Sequence, residues 1–258
     1  MKEKELISAS IVTYNNRDEA VNICRCLLEH TKKYPIKLYV FDNGSSDGTA
    51  DKLSGISGVT VVRLNKNIGF GAAHNKILEY EMGDIHFVIN PDIIINGDLL
   101  SDMYDFLKSN PDIALAMPEI LNPDGTVQYL PKEKPSLKRL YLGRLGKFSK
   151  KFRRVRDDFI WQGKELTEVT DINFCSGCFF AVRKNIFKEL KGFDERYFMY
   201  LEDADLTLRA KEKGRVVIAP QFRVTHMWHR ESAKSIKYLF IHIYSSFKFL
   251  YKWRRVSL

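Results

Sequence analysis

Two periods of hydrophobic positions alternate along the first 118 residues. Leu6–Tyr14 is an unbroken apolar and β-branched run that stops at Asn15-Asn16, the pattern of a buried strand. Ala20, Ile23, Cys24, Leu27 and Leu28 then recur at the spacing of one helix face, with Asn15 or Asn16 placed to cap it. Lys37–Asp42 predicts a second strand running into the turn-rich Asn43–Thr49, followed by a short helix and a strand at Val59–Leu64. Asn67–Asn75 is a glycine-bearing loop that leads into a helix ending near Gly83. Ile85–Asn90 is a strand stopped by Pro91, Leu99, Leu100, Met103, Phe106 and Leu107 mark a helix, and Ile113–Met117 a short strand. Strand and helix thus alternate about four times, which means a mostly parallel sheet with helices on both faces. Such sheets bind ligands at the carboxyl ends of their strands. The polar clusters Asn15-Asn16, Asp42-Asn43, Asn67 and Asn90-Pro91-Asp92 all lie at such ends.

The second half is less regular. Asn122–Gly125 is a turn signal, Asp171–Arg183 predicts one strand, Phe198–Lys213 a turn and a helix, and Val216–Ala219 a last short strand. Lys132–Arg156 holds 11 basic residues against the single acid Glu133, and it predicts a peripheral basic excursion. The chain of 258 residues is long enough for one large domain or two small ones, and 45% hydrophobic with 28% charged residues is ordinary globular usage. This excludes a disordered tail, a collagen-like fibre and a disulfide-dense toxin. No apolar run approaches the roughly 18–20 residues that span a bilayer. The start carries no secretory signal pattern, so a cytoplasmic protein with reduced thiols is expected.

Charge changes the picture most. Residues 1–130 carry 12 basic and 18 acidic residues, while residues 131–258 carry 29 and 14. A basic half beside an acidic one points to an anionic partner on one side only.

Four groups carry candidate chemistry. Asp42, at a strand end, can accept hydrogen bonds from a base or a ribose, or serve as an Asx-turn residue together with Asp47. Asp92 in Asn90-Pro91-Asp92 suits a hard divalent cation bridging phosphates, or simply a turn. Glu202, Asp203 and Asp205 crowd three carboxylates into four residues, which suits a general base or the first turn of a helix. His226–Ser232 offers imidazoles and Arg230 as a metal ligand or positive charge near a phosphate site, or a loop cluster with a structural role only. The cysteines, Cys24 and Cys26 in a helix and Cys175 and Cys178 in an apolar strand, are expected to be buried thiols rather than a zinc site.

Read together, S-I-V-T-Y-N-N, V-F-D-N-G-S-S-D-G-T, N-I-G-F-G-A-A-H-N, I-N-P-D and G-F-D-E-R-Y-F-M-Y-L-E-D-A-D-L resemble the family-2 glycosyltransferases of GT-A fold over about residues 7–232. The N-I-G-F-G-A-A-H-N and I-N-P-D forms are most similar to bacterial rhamnosyltransferases of surface polysaccharide synthesis. The resemblance implies a GT-A domain over 1–232, with a nucleotide-sugar half (1–120) and an acceptor and catalytic-base half (121–232), then a basic aromatic helix over 233–258. It implies that Thr13, Tyr14 and Asn15 line the nucleotide pocket and that Asp42 contacts the pyrimidine. Asn67, Gly69 and Asn75 would shape the ribose and diphosphate side. Asp92 would hold magnesium or manganese with help from His226. Asp203, in the Glu202–Asp203 motif, would be the catalytic base. Asn90 replaces the first aspartate of the family's metal motif, and an amide brings no charge to a cation.

The implied reaction is an inverting transfer, with dTDP-rhamnose the favoured donor and a UDP-hexose or UDP-N-acetylhexosamine the alternative. The acceptor would be a glycan or a polyprenyl-diphosphate-linked saccharide. Aromatic and cationic residues interleave through 234–255, which suits an anionic membrane surface on the inner face of the cell membrane. The competing reading packs this tail on the domain or into a homodimer. A nucleotidyltransferase would need a glycine-rich, lysine-bearing loop, which Ser8–Asn16 lacks. No nucleic-acid motif accompanies the positive charge, so no nucleic-acid partner is expected.

Overall fold

The computed structural model describes residues 5–142, 149–227 and 236–254. Part of the expected basic excursion, the His229-Arg230 part of the late cluster, and the tail residues Lys234 and Arg255 lie outside the described residues. One sheet runs through the molecule. Its first half is parallel: β3 (Val59–Arg63), β2 (Ile36–Asp42), β1 (Ile7–Thr13) and β4 (Ile85–Ile89) lie side by side in that order. Strands β1 and β4 are buried along their whole length, as continuous apolar runs in a sheet covered on both faces must be. The covering helices include α1 (Arg17–His30) and α4 (Leu99–Ser109), which bury the apolar stripes seen in the sequence. Asn16 caps α1 by position but makes no side-chain capping bond.

The second half departs from simple alternation. Strand β8 (Phe179–Arg183) wedges between β4 and β6 (Ile113–Leu121), antiparallel to both. Next to β6 runs β9 (Arg215–His226), parallel to it. The expected stop at Ala219 is corrected: a register shift at Pro118/Glu119 lets β9 pass Pro220 and continue to His226. Its far end pairs with β5, only Ile93–Ile94, through Ile93 opposite His226. The strand expected over Asp171–Arg183 is also corrected. Thr170–Asp171 (β7) and β8 are strands, and the residues between them form a loop. That loop spends its amides on side chains of α8 (Glu202–Lys211): Cys175 N–H donates to Thr207 Oγ1 and Gly177 N–H to Asp203 Oδ2, both at 3.0 Å. Cys24, Cys175 and Cys178 are buried thiols as expected, although the last two sit in or beside this loop.

The basic excursion is not merely peripheral. It contains α5 (Leu137–Tyr141) and α6 (Lys150–Ile160), and Leu140, Val155 and Phe159 are buried. Leu140 and Phe159 join a second apolar cluster with Phe174, Tyr197, Leu201, Leu208, Phe249 and Trp253. This cluster welds α5, α6 and α8 to the tail helix α9 (Ile236–Lys252). Among the described residues no helix is long and apolar enough to cross a membrane.

Candidate active site

Three strand ends and one helix start build the site. At the end of β1, Thr13 is fully buried, and its Oγ1 finds no hydrogen-bond partner in the protein. A buried hydroxyl without a partner is costly, which suits a position that meets a ligand. Asn15 sits in the left-handed region (φ 54°) and its Oδ1 accepts from Ser46 N–H at 2.9 Å, while its own N–H donates to Ser45 Oγ. The turn after β2 is thereby tied to the end of β1. Asp42, only 3% exposed, accepts from Ser45 N–H and lines a cavity of about 310 Å³ with Ser46, Arg63 and Asn65. Tyr14 is exposed nearby in sequence.

The glycine-bearing loop is held from both sides. Asn43 Nδ2 donates to Asn67 Oδ1 at 3.0 Å and to Gly69 O at 3.2 Å, and Asn43 Oδ1 accepts from Ile68 N–H. Gly69 has φ 96°, and a Cβ there would lie 2.4 Å from Phe198 O, so only glycine fits. Phe70 N–H donates to that same carbonyl. Asn75 is placed as a brace: its Oδ1 accepts from Phe193 N–H at 2.7 Å, and its Nδ2 donates to Phe193 O and Glu195.

A cavity of about 620 Å³ brings Asn90, Asp92, Glu202, Asp203 and His226 to one place. Asp92 and His226 are far apart in sequence. The β5–β9 pairing, with Met227 N–H donating to Asp92 O at 3.0 Å, sets His226 Nε2 at 3.3 Å from Asp92 Oδ2. His226 Nδ1 lies 2.8 Å from Gln128 Oε1 and donates its N–H there, which turns Nε2 toward the carboxylate. The two groups form an ion pair when the ring is protonated, and a neutral imidazole and a carboxylate so placed fit a shared cation. Among the described residues no three His, Cys, Asp or Glu side chains converge on a metal position.

Opposite these groups starts α8. Tyr200 and Leu201 both adopt positive φ (70° and 68°), a strained turn that aims Glu202 and Asp203 into the cavity. Asp203 Oδ2 accepts from Gly177 N–H and Oδ1 from Ala204 N–H. Burial nonetheless pushes its carboxyl up to about 6, against the pull of those amides. Glu202 is buried with an unpartnered Oε2, and burial first, then the charge of Asp203, raise it well above the usual carboxylate range. Asp205 turns away: its two oxygens take Arg209 Nε and Trp253 Nε1, each at 2.8 Å, and Lys252 Nζ.

Sequence reasoning missed Gln128, Arg139, Arg156 and His242. The last three line the same cavity. Gln128 carries no sequence signal, whereas Val155 and Phe159, four apart among basic residues, could have shown that α6 packs inward.

A sheet of this order, with a cleft at its strand ends and carboxylates gathered at a second cavity, is the architecture of the GT-A fold. The chain belongs to glycosyl transferase family 2, whose family model matches residues 8–191. It is 29% identical over 231 residues to the N-acetylglucosaminyl-diphospho-decaprenol L-rhamnosyltransferase of Mycobacterium tuberculosis, covering 84% of this chain and 75% of that one. It is 37% identical over 90 residues to rhamnosyltransferase WbbL of Escherichia coli, 34% of either chain. Among solved structures, GalNAc-T7 with UDP, GalNAc and Mn2+ superposes with a TM-score of 0.64 at 16% identity, over 88% of this chain and 45% of that chain. The Pyrobaculum calidifontis mannosyltransferase PcManGT, with GDP-Man and Mn2+, gives a TM-score of 0.61 at 14% identity, over 96% and 65%. The chain thus spans less than two thirds of either solved protein.

Proposed function

We propose that this glycosyltransferase moves L-rhamnose from dTDP-rhamnose to a hydroxyl of a polyprenyl-diphosphate-linked saccharide in cell-surface polysaccharide synthesis, inverting the anomeric centre. The observation that carries the reading is Asp203: a half-buried, amide-anchored carboxylate with a raised pKa, facing the same cavity as Asp92 and His226. The named activity of the 29%-identical mycobacterial relative supports the sugar and the carrier.

In this reading residues 1–120 hold the donor. Thr13, Tyr14, Asn15 and Asp42 receive the nucleoside, and Asn67 and Gly69 shape the loop beside the diphosphate. Residues 121–232 present the acceptor to the base, and the helix after 233 closes the acceptor side. Asp92 and His226 would hold magnesium or manganese, and a cation there would neutralise charge on the leaving diphosphate. Asn90 contributes no charge, so the donor's own phosphate oxygens would complete the coordination. Asp203 takes the proton of the acceptor hydroxyl as its oxygen attacks the anomeric carbon opposite the departing diphosphate. One displacement on that geometry inverts the centre. Glu202, held neutral, leaves Asp203 as the charged carboxylate of the pair that faces the cavity, at a helix start where the dipole favours an anion. The protein would work at the cytoplasmic face of the membrane.

Donor binding and hydrolysis across dTDP-, UDP- and GDP-sugars, with manganese, magnesium or chelator, test the reading. Selective, cation-assisted use of dTDP-rhamnose is expected. Selective use of a UDP-hexose would overturn the sugar while keeping the roles of Asp203 and Asp92.

A further inference from the structure

The large cavity extends well past the reacting groups, and most of that extension is apolar. Leu130, Pro131, Leu140, Phe159, Phe174 and Met199 form its wall. Two guanidinium groups stand in this otherwise apolar stretch, Arg139 on α5 and Arg156 on α6. Their protein partners are modest. Arg139 lies 3.6 Å from Glu133 and donates to the carbonyl of Lys134, while Arg156 pairs with its own neighbour Asp157 at half-exposed positions. Neither arrangement resembles a buried structural ion pair, so both heads can turn to a ligand at little cost. His242, on α9, lines the cavity too and packs against Tyr200 with ring centroids 5.3 Å apart. None of these groups belongs to the donor half. All come from the α5–α6 arm and α9, which the second apolar cluster fixes onto α8 beside Asp203.

We infer that Arg139 and Arg156 form an anion subsite for the acceptor, binding a phosphate or diphosphate headgroup whose attached apolar chain runs along the Leu140–Phe159–Phe174 wall. The inference rests on the proposed glycosyl transfer to a lipid-linked acceptor, and it assigns to named residues how that acceptor is read. Guanidinium groups bind phosphate oxygens through paired, charge-assisted hydrogen bonds, and an apolar wall next to them favours an amphiphile over a free sugar phosphate.

The test is binding of farnesyl diphosphate to the full-length protein by calorimetry. Saturating dTDP and chelator are present, so that the donor diphosphate position is filled and no cation bridges the probe. Farnesyl diphosphate is expected to bind, farnesol to bind much more weakly, and Arg139→Ala with Arg156→Ala to weaken the diphosphate roughly tenfold or more. The affinity of dTDP itself stays unchanged in the variants. Farnesyl diphosphate that does not bind, or binds equally to wild type and the double variant, overturns the subsite. Transfer assays separate this from the functional reading. With an octyl N-acetylglucosaminide lacking phosphate, the double variant keeps wild-type KM, whereas with a diphosphate-linked acceptor its KM rises by a similar factor. Equal losses on both acceptors would assign the arginines a structural role and also overturn the subsite. Farnesyl diphosphate binding that depends on the arginines, in a protein that transfers no rhamnose, would instead leave the subsite standing and remove the sugar.

Discussion

Asp203 and its neighbours show how one short acidic run is divided by environment. Glu202 is buried with its Oε2 unpartnered and rises well above the carboxylate range, Asp203 is raised to about 6, and Asp205 is absorbed by Arg209, Trp253 and Lys252. The sequence could place three acids at a helix start but not apportion them, because Lys252 and Trp253, which hold Asp205, come from the tail, and Gly177, which holds Asp203, comes from the loop after β7. The proposed base must be ionised, so transfer should rise with pH through about 6 and level off above it, rather than near the ordinary aspartate value of about 3.9. A rate-against-pH profile at saturating donor checks this. Asp203→Asn should retain nucleotide binding by calorimetry and lose on the order of 10²–10⁴ in turnover. Normal turnover in that variant would remove Asp203 from the mechanism. A second set of buried groups sets acid sensitivity. His86 is held by Ser8 and Ser10, Ser10 also meets His74, and burial depresses His86 to about 3 and His74 well below its usual range. A histidine kept neutral in the fold binds fewer protons than in the unfolded chain. Its contribution is therefore full above about pH 6.5 and falls as pH drops toward the folded value. Glu202 and Asp203 titrate with the opposite sign in the same window, so the readout is a difference. Between pH 6.5 and 4.5, wild type should lose about 2 kcal/mol more unfolding free energy in urea than His86→Asn. Parallel curves for the two proteins would contradict it.

At the scale of elements, what was legible followed from local periodicity, and what was not followed from distant pairing. The alternating strands and helices up to α4 stand close to where their patterns put them, except that the helix expected after Asn75 lies over Phe70–Asn75 and only a 3-10 turn, Lys76–Glu79, follows it. Strand β5 is two residues long and offers no period to read, yet its pairing with β9 is what sets Asp92 against His226. The loop around Gly177 reads as a strand, being apolar on both sides, until α8 offers its amides better acceptors. The basic arm hid two short helices because charge masked the few apolar positions that pack. The loop from Asn67 to Phe70 is the opposite case, since its glycine is visible in the sequence and its reason is geometric. Gly69→Ala would force Cβ onto the Phe198 carbonyl, where the chain leading into α8 begins. The loop must shift, and with it both the donor side and the approach to Asp203. Expected are a loss of about 1–3 kcal/mol in unfolding free energy and a higher donor KM. Urea denaturation with donor titration measures both, and an unchanged KM would show that the loop does not shape the donor site.

Across the whole molecule, the asymmetry of charge becomes an asymmetry of faces. Helix α9 turns Ser245, Ser246, Phe249 and Trp253 inward, and Trp253 Nε1 reaches the buried Asp205. Its opposite side presents Ile236, Phe240, Tyr244, Phe247 and Tyr251, each more than 60% exposed and spaced three or four residues apart. Lys248 stacks over Tyr244 and Arg254 over Tyr251, each at 4.1 Å from the ring. The sequence left two readings of this tail, packing on the domain or seating on a membrane. The helix has one face for packing, and the other carries the aromatic and cationic chemistry of a bilayer interface. Lys150, Lys151, Arg153 and Arg154 on α6 are exposed on the same arm that helps line the proposed acceptor end of the cavity. An anionic surface met by these groups would bring a lipid-carried acceptor to the cavity mouth already oriented, which is worth more than contact strength alone. The protein should therefore co-sediment with vesicles containing phosphatidylglycerol at low salt, release as ionic strength rises, and bind neutral phosphatidylcholine vesicles weakly. Phe240→Ser with Phe247→Ser should weaken vesicle binding while leaving hydrolysis of the donor in solution unchanged, because neither ring touches the cavity. Unaltered co-sedimentation of that variant would assign the membrane contact to the basic arm alone, and no binding of wild type to anionic vesicles at low salt would reject the interface altogether.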